Sequence, residues 1–304
     1  MKPASQTPFS AIALAKLADE AGVPKGVLNV ITSKDSKGIG KELATNDKIR
    51  KISFTGSTSV GRTLMEQAAS TIKRISLELG GNAPFLVFNN ADIDKAVEGA
   101  VAGKFRNTGQ TCVSINRFYV QEGVYEEFTE KLTQAVKALQ VGDGLKKTSQ
   151  VGPLINEEGL KKVEEHVQDA IDKGAKVETG GKAMKGLFYE PTVLSNMPAH
   201  SVIATEETFG PICALFKFKT EDEAIKLAND TPFGLASYFF SQDVHQCFRV
   251  SEQLEAGMVG VNTGLISNAS APFGGVKQSG LGREGSKYGL DEYIEVKYIC
   301  FGGN

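Results

Sequence analysis

Two residues stand 34 positions apart in loops of the kind that carry chemistry: Cys112, in Thr108-Gly109-Gln110-Thr111-Cys112, and Glu78, in Glu78-Leu79-Gly80-Gly81. A cysteine thiolate is a strong nucleophile when a small, polar loop exposes it and a nearby base or cation lowers the cost of ionisation. A carboxylate followed by two glycines can project into a cleft, because backbone without Cβ atoms approaches closely. Nucleophile plus general base is the equipment for covalent catalysis at a carbonyl carbon. Taken alone, Cys112 is also compatible with an inert buried thiol, and Glu78 with a solvated strand end.

A third element lies upstream. Phe54-Thr55-Gly56-Ser57 falls between a strand-like and a helix-like segment, so backbone N–H groups at a helix start and the Ser57 hydroxyl can face an anion. The Gly-x-Gly-x-x-Gly spacing of ordinary dinucleotide-binding folds is missing from it.

Together, in order and spacing, these three motifs resemble the aldehyde dehydrogenase superfamily, and the resemblance runs from Lys2 to the C-terminus, closest to its succinate-semialdehyde dehydrogenases. It implies that Cys112 attacks an aldehyde, passes a hydride to a nicotinamide and is left as a thioester. Glu78 would activate the water that hydrolyses it. Gly56 and Ser57 match the family's version of the pyrophosphate turn. Lys2 and Ser5 match the segment that holds the adenosine ribose; a serine there beside a lysine leaves room and positive charge for a 2′-phosphate, so NADP is expected in preference to NAD. In Glu206-Glu207-Thr208-Phe209-Gly210-Pro211, Glu207 and Phe209 match the nicotinamide-ribose segment.

The resemblance to succinate-semialdehyde dehydrogenases also implies a substrate. Arg106 and Ser267 match residues that grip the far carboxylate of an acid-bearing aldehyde, which a guanidinium fork and a hydroxyl are suited to do. Phe273 matches an aromatic of the substrate tunnel. Glutarate semialdehyde, one methylene longer, is a second candidate, and a broad-specificity aldehyde dehydrogenase an alternative. Where many members carry Cys-x-Cys, this chain has Ser114, so no neighbouring thiol is expected to switch Cys112 by disulfide formation. The family's N-terminal portion is expected to be missing, and with it an asparagine that helps stabilise the oxyanion. A catalytically incomplete fragment that acts only by subunit association is therefore a further alternative.

Composition narrows the classes. The 304 residues carry 34 basic and 36 acidic side chains, a net charge of −2, with no basic run, so nucleic acid is not an expected partner. No stretch reaches the roughly 20 apolar residues of a membrane helix. The four cysteines are widely separated and the three histidines form no ligand pattern with them, which indicates neither a disulfide framework nor a metal site. A cytoplasmic location is expected, with the mitochondrial matrix as alternative.

The elements that must position these residues alternate. Helices are predicted over residues 7–21, with Thr7 as cap, 57–70, from Asp92 toward the Cys112 loop, 124–139, 157–173, 221–229 and 244–254. Strands are predicted over 27–31, 51–54, 74–78, 84–88, 117–121, 212–218, 235–240 and 258–261, with an alternating tail strand over 292–299 that needs a partner sheet. This rhythm predicts an α/β fold with a mostly parallel sheet. The resemblance organises it as a partial Rossmann-type cofactor domain (1–81), an α/β catalytic domain (82–282) and a C-terminal segment (283–304) ending in an oligomerisation strand, with a homo-oligomer, dimer or tetramer, as the assembly.

Overall fold

The computed structural model describes residues 1–303. The chain divides into two compact units, one made of Met1–Ser53 with Ser59–Ile75, the other of Phe54–Thr58 with the residues from Ser76 onward.

In the first unit, α1 (Phe9–Glu20) follows Pro8 as its N-cap, with no side-chain capping bond, so the expected Thr7 cap is not formed. None of its residues is buried; Phe9 is 82% exposed. Helix α2 (Ser36–Thr45) is capped by Asp35, whose side chain accepts from Gly38 N. The small core uses Ala44, Ile52, Leu64 and Ala68. Lys73 reaches back to the carbonyls of Asn46 (2.7 Å) and Ile49 (3.0 Å), tying the turn behind α2 to the start of β2. Strand β1 (Lys51–Thr55), helix α3 (Thr58–Ala68) and strand β2 (Arg74–Glu78) complete the early chain. The strand predicted over 27–31 does not form; the segment bonds Met1, Ile31 N donating to Met1 O and Asn29 O accepting from the Met1 amino group. A short apolar run becomes a strand only when a neighbour offers a ladder.

The second unit is built on seven strands: β3 (Ala83–Val87), β4 (Ile115–Gln121), β5 (Lys176–Thr179), β6 (Thr192–Ser195), β7 (Ile212–Phe218), β9 (Ala236–Phe240) and β10 (Met258–Val261), in the order β10-β9-β3-β4-β7-β6-β5. Every neighbouring pair is parallel except β5–β6. The mostly parallel sheet read from the alternation is therefore present.

Both faces of this sheet are covered, which is why its strands read as continuous apolar runs. Phe85 and Val87 of β3, Phe118 and Val120 of β4 and Tyr238 and Phe240 of β9 join one core with α4 (Ile93–Phe105) and α5 (Tyr125–Lys137). Leu86, Tyr119, Phe216 and Phe239 join the other, with α6 (Glu157–Asp172), the short α7 (Val202–Thr205), α8 (Glu221–Asn229) and α9 (Val244–Gln253). Phe85 is the hub of the first core, its ring 5.1 Å from Phe240 and 5.3 Å from Phe118. Asp92 caps α4, accepting from Lys95 N.

Two short ribbons finish the unit. β8 (Phe233–Gly234) pairs with β11 (Val276–Lys277), and β12 (Gly280–Leu281) pairs antiparallel with the end of β2, Gly280 opposite Glu78. After α10 (Tyr288–Asp291) the predicted tail strand is not formed, and Val296 is 97% exposed. A strand needs an edge to pair with, and no described strand supplies one to this tail.

Candidate active site

Three segments enter parallel strands of the sheet from the same end: Glu78–Gly80 before β3, Gln110–Cys112 before β4 and Glu207–Phe209 before β7. With Thr55–Ser57 and the first turns of α6 they line a cavity of about 650 Å³. Parallel pairing thus converts residues scattered over the sequence into neighbours.

Cys112 is set by an unusual approach. The end of α4 runs into Asn107 (φ 50), Thr108 (φ 61) and Gly109 (φ 74), three consecutive left-handed residues. Left-handed backbone costs a non-glycine residue about 1–2 kcal/mol, so it persists only where the surroundings enforce it. Here Thr108 Oγ1 accepts from Gly152 N (3.0 Å) and donates to Gly152 O (3.1 Å). Gln110 holds the far side, donating to Pro153 O and accepting from Ile155 N. A Cβ on Gly109 would lie 2.2 Å from Gly210 O, so only glycine fits there. Burial pushes the Cys112 thiol upward, and the Glu207 and Glu78 carboxylates push the same way. A thiol pushed upward in this way needs a base to receive its proton before it can act as a thiolate.

Glu78 lines the same cavity, and its charge acts on Cys112. It is 4% exposed, and its Oε2 has no hydrogen-bond partner. Burial, with Glu284 nearby, raises its pKa to about 8 against the opposing pull of Arg283. An unpaired carboxyl held near neutrality can both take and return a proton. Its backbone is fixed: Gly56 N donates to Glu78 O, and Ser279, 0% exposed, donates its hydroxyl to Gly80 O and accepts from Gly234 N.

Glu207 accepts from Gly81 N at 3.1 Å, and burial raises its pKa to about 7 against the pull of Lys162 and Lys104. Phe209, in left-handed backbone, is 38% exposed. Behind these segments Asn116 donates to Asn82 Oδ1, Ile203 O and Glu206 O and accepts from Thr208 N. Arg117, 1% exposed, donates to the carbonyls of Asn82, Leu227 and Ala228.

Of the residues singled out from the sequence, Gly56, Ser57, Glu78, Cys112, Glu207 and Phe209 line the one cavity. Arg106, Ser267 and Phe273 do not. Arg106 is exposed at the end of α4, and its charge is felt at the Tyr238 hydroxyl, as is that of Cys112. Ser267 is exposed. Phe273 packs on the core, and its backbone exchanges two hydrogen bonds with Glu284. Lys2 and Ser5 belong to the first unit, where Ser5 lines a cavity of about 210 Å³ with Ser33 and Lys34, while Lys2 Nζ donates to Pro3 O.

Sequence reading missed Lys162 and Asn156 in the cavity wall, Asn116 and Arg117 behind it, and Lys34 beside Ser5. Only Lys162 carried a signal: it lies one helical turn beyond Glu158 on α6, on the face that meets the cavity. Among the described residues no group of three His, Cys, Asp or Glu side chains could hold a metal, and no helix is long and apolar enough to cross a membrane.

The aldehyde dehydrogenase family model matches residues 1–299. The chain belongs to the aldehyde dehydrogenase family. Among curated relatives of this dehydrogenase-family chain, the succinate-semialdehyde dehydrogenase (NADP(+)) GabD of Escherichia coli (strain K12) is 60% identical over 99% of the chain and 63% of the relative. The glutarate-semialdehyde dehydrogenase of Pseudomonas putida is 59% identical over 99% of the chain and 62% of the relative. A crystal structure described as an E. coli NADP dependent enzyme superposes with a TM-score of 0.98 at 60% identity, covering 99% of this chain and 63% of that one. The chain thus spans less than two thirds of the length of these relatives.

Proposed function

We propose that this aldehyde dehydrogenase chain serves the NAD(P)-dependent oxidation of an acid-bearing aldehyde, succinate semialdehyde first, through a thioester on Cys112. The observation that carries this reading is the shared cavity: an ionisable thiol, an unpaired carboxyl held at about 8, and a ribose-type carboxylate, Glu207, around about 650 Å³.

The residues present fit a nicotinamide cofactor. Ser57 at the start of α3 offers a hydroxyl beside a helix N-terminus for a phosphate, and Glu207 keeps carboxylate capacity beyond its bond to Gly81 N for ribose hydroxyls. When bound, the cofactor supplies the hydride acceptor. Ser5, Ser33 and Lys34 bring two hydroxyls and a cation to one cavity, groups suited to a 2′-phosphate, which together with the name of the E. coli relative supports NADP over NAD.

Cys112 Sγ forms a bond to the aldehyde carbon as its proton leaves to the Glu78 carboxylate. Loss of hydride from that carbon gives the thioester. Glu78, once its proton has passed to solvent, takes a proton from water as the water oxygen attacks the thioester carbon; the C–S bond breaks, the acid leaves and the thiol is restored. The net reaction consumes one aldehyde, one oxidised cofactor and one water.

Arg106 is proposed to receive the far carboxylate, with Ser267 adding a donor and Phe273 an apolar wall. Glutarate semialdehyde fits the same chemistry, since one methylene is worth about 1–3 kcal/mol in discrimination. The exposed apolar residues of α1 and of the tail, Leu17 at 60% and Val296 at 97%, favour a chain that associates with further subunits of its kind. We place that assembly in the cytoplasm.

The test is reduced-nicotinamide absorbance with succinate semialdehyde, comparing NADP with NAD, on this chain and on Cys112→Ser. Turnover that the substitution abolishes supports the reading. Turnover that survives it sinks the thioester route.

A further inference from the structure

Helix α6 buries Val163, His166, Val167 and Ala170, and the histidine is the polar member of that face. His166 is 4% exposed. A buried imidazole is tolerated where its nitrogens find partners, and a leucine would fill the space without needing any. Here both nitrogens face one segment: Nδ1 lies 3.1 Å from Thr208 Oγ1, and Nε2 lies 3.7 Å from Glu206 Oε2.

Glu207 stands between those two contacts. Glu206 is extended, with φ −112 and ψ 141, and in extended backbone successive side chains leave on opposite sides. The contacts follow that alternation. Glu206 and Thr208 turn to His166, while Glu207 turns to the glycine turn and accepts from Gly81 N at 3.1 Å. The backbone at Thr208 is held as well, its N–H donating to Asn116 Oδ1. On the same face of α6, Val163 closes on the end of the segment, where a Cβ on Gly210 would stand 2.3 Å from its Cγ2.

The charges around the ring set its tautomer. Burial and Lys162 hold the His166 pKa below its ordinary value, against the pull of Glu206, Asp169 and Glu165, so the ring is neutral at pH 7. Asp169 is already engaged by Lys173 and by Val202 N. The Glu206 carboxylate draws the single ring proton to Nε2, which leaves Nδ1 to accept from the Thr208 hydroxyl. The Glu206 side chain is 63% exposed, so its contact orients the ring, and the bond to Thr208, 1% exposed, carries the hold.

We infer that His166 is a positioning residue for cofactor binding: by holding Thr208 from α6, it aims the Glu207 carboxylate into the cavity, toward the hydroxyls of a bound ribose. The last clause rests on the reading of Glu207 given above.

NADPH fluorescence titrations of the 304-residue chain and its variants test this at pH 8, above the Glu207 pKa of about 7. His166→Leu is expected to raise the Kd by about tenfold, the upper worth of one buried hydrogen bond, and Thr208→Val to do the same. Combining the two should add less than about twofold. His166→Asn, whose amide can stand where Nδ1 stands, should bind within about twofold of the parent. In the Glu207→Gln background His166→Leu should change the Kd less than about twofold. A Kd unmoved by His166→Leu, an Asn variant as weak as the Leu variant, or an equal penalty in the Glu207→Gln background overturns the proposal and leaves His166 a packing residue.

If the parent chain binds no NADPH, the cofactor reading fails for this chain, and the positioning is judged on hydrogen exchange of the Gly81 amide, whose acceptor is Glu207. Exchange about tenfold faster in His166→Leu supports it; an unchanged rate overturns it. Should His166→Leu not fold, His166→Gln, which keeps a polar group on the Nε2 side and gives up the bond to Thr208, decides by the same criteria.

Discussion

A methyl group on Gly81 would stand 2.6 Å from the carbonyl oxygen of Cys112. The backbone of the glycine turn and the backbone of the nucleophile loop are therefore in direct contact, and the position of the thiol is set from the Glu78 side. Gly81→Ala should displace the Cys112 loop. The expected outcome is a drop in iodoacetamide alkylation rate at Cys112 of about tenfold, with a loss of about 1–3 kcal/mol in urea unfolding from overpacking. An alkylation rate equal to that of the parent counts against backbone contact as the positioning device.

Glu78 can be tested without cofactor by acylating Cys112 with an activated aryl ester. Its pKa of about 8 means that the basic form grows as pH rises through that value. Steady-state ester hydrolysis should therefore climb with pH around 8, and Glu78→Gln should slow both the initial burst of acylation and the steady-state hydrolysis, the latter about 10²–10⁴-fold. A Glu78→Gln chain that turns over normally removes Glu78 as the base.

The same residue has a signature in stability. Its folded pKa lies above the unfolded value of 4.5, so between the two the folded state holds the extra proton and unfolding releases it. This contribution is fully present below the unfolded pKa and is lost as pH rises through the folded pKa. Urea midpoints of the parent relative to Glu78→Gln should fall between pH 5 and pH 9, and a flat difference contradicts the burial of Glu78.

Arg106 lies outside the cavity wall yet close enough for its charge to reach Tyr238, whose hydroxyl donates to Val113 O at 2.7 Å, one residue past Cys112. Arg106→Ala should raise KM for succinate semialdehyde by about tenfold or more, the worth of a charge-assisted bond of about 1.5–3 kcal/mol, and spare an uncharged aldehyde of the same length. Equal losses for both aldehydes speak for a structural role of the guanidinium.

Arg117 is a buried cation whose hydrogen-bond partners are three carbonyls and the Tyr119 hydroxyl. Its fork reaches Asn82 O, Leu227 O and Ala228 O at 2.9–3.0 Å, tying the start of β3 to the end of α8. Arg117→Met would strand three acceptors at about 1–3 kcal/mol for each buried group. A loss of several kcal/mol in denaturant unfolding is expected, and a loss under 1 kcal/mol rules out this tie as a major brace.

What the amino-acid order determined by itself was local pattern and local chemistry. Strands β7 and β10 and helix α8 have the bounds read from periodicity, since their apolar residues repeat on a scale of a few positions. Cys112, Glu78 and Ser57 were legible as candidates because their neighbours, glycines and small polar residues, announce open loops, whereas Glu207 was reached only through the family resemblance. The predicted strand at 27–31 and the tail strand at 292–299 failed for one reason: a strand is a relation between two segments, and periodicity describes only one.

Tertiary structure alone decided the rest. Parallel pairing of β3, β4 and β7 brings residues 78, 112 and 207 to one end of the sheet, a convergence no spacing encodes. Left-handed backbone at Asn107 and Thr108 exists because Gly152 and Gly210 enforce it from 44 or more positions away. Burial, which raises Glu78 and Glu207 and lowers Lys104, is a property of everything packed around a side chain. Lys104 shows the difference: it stands two positions before Arg106 in the sequence, and the fold leaves it 1% exposed while Arg106 is exposed.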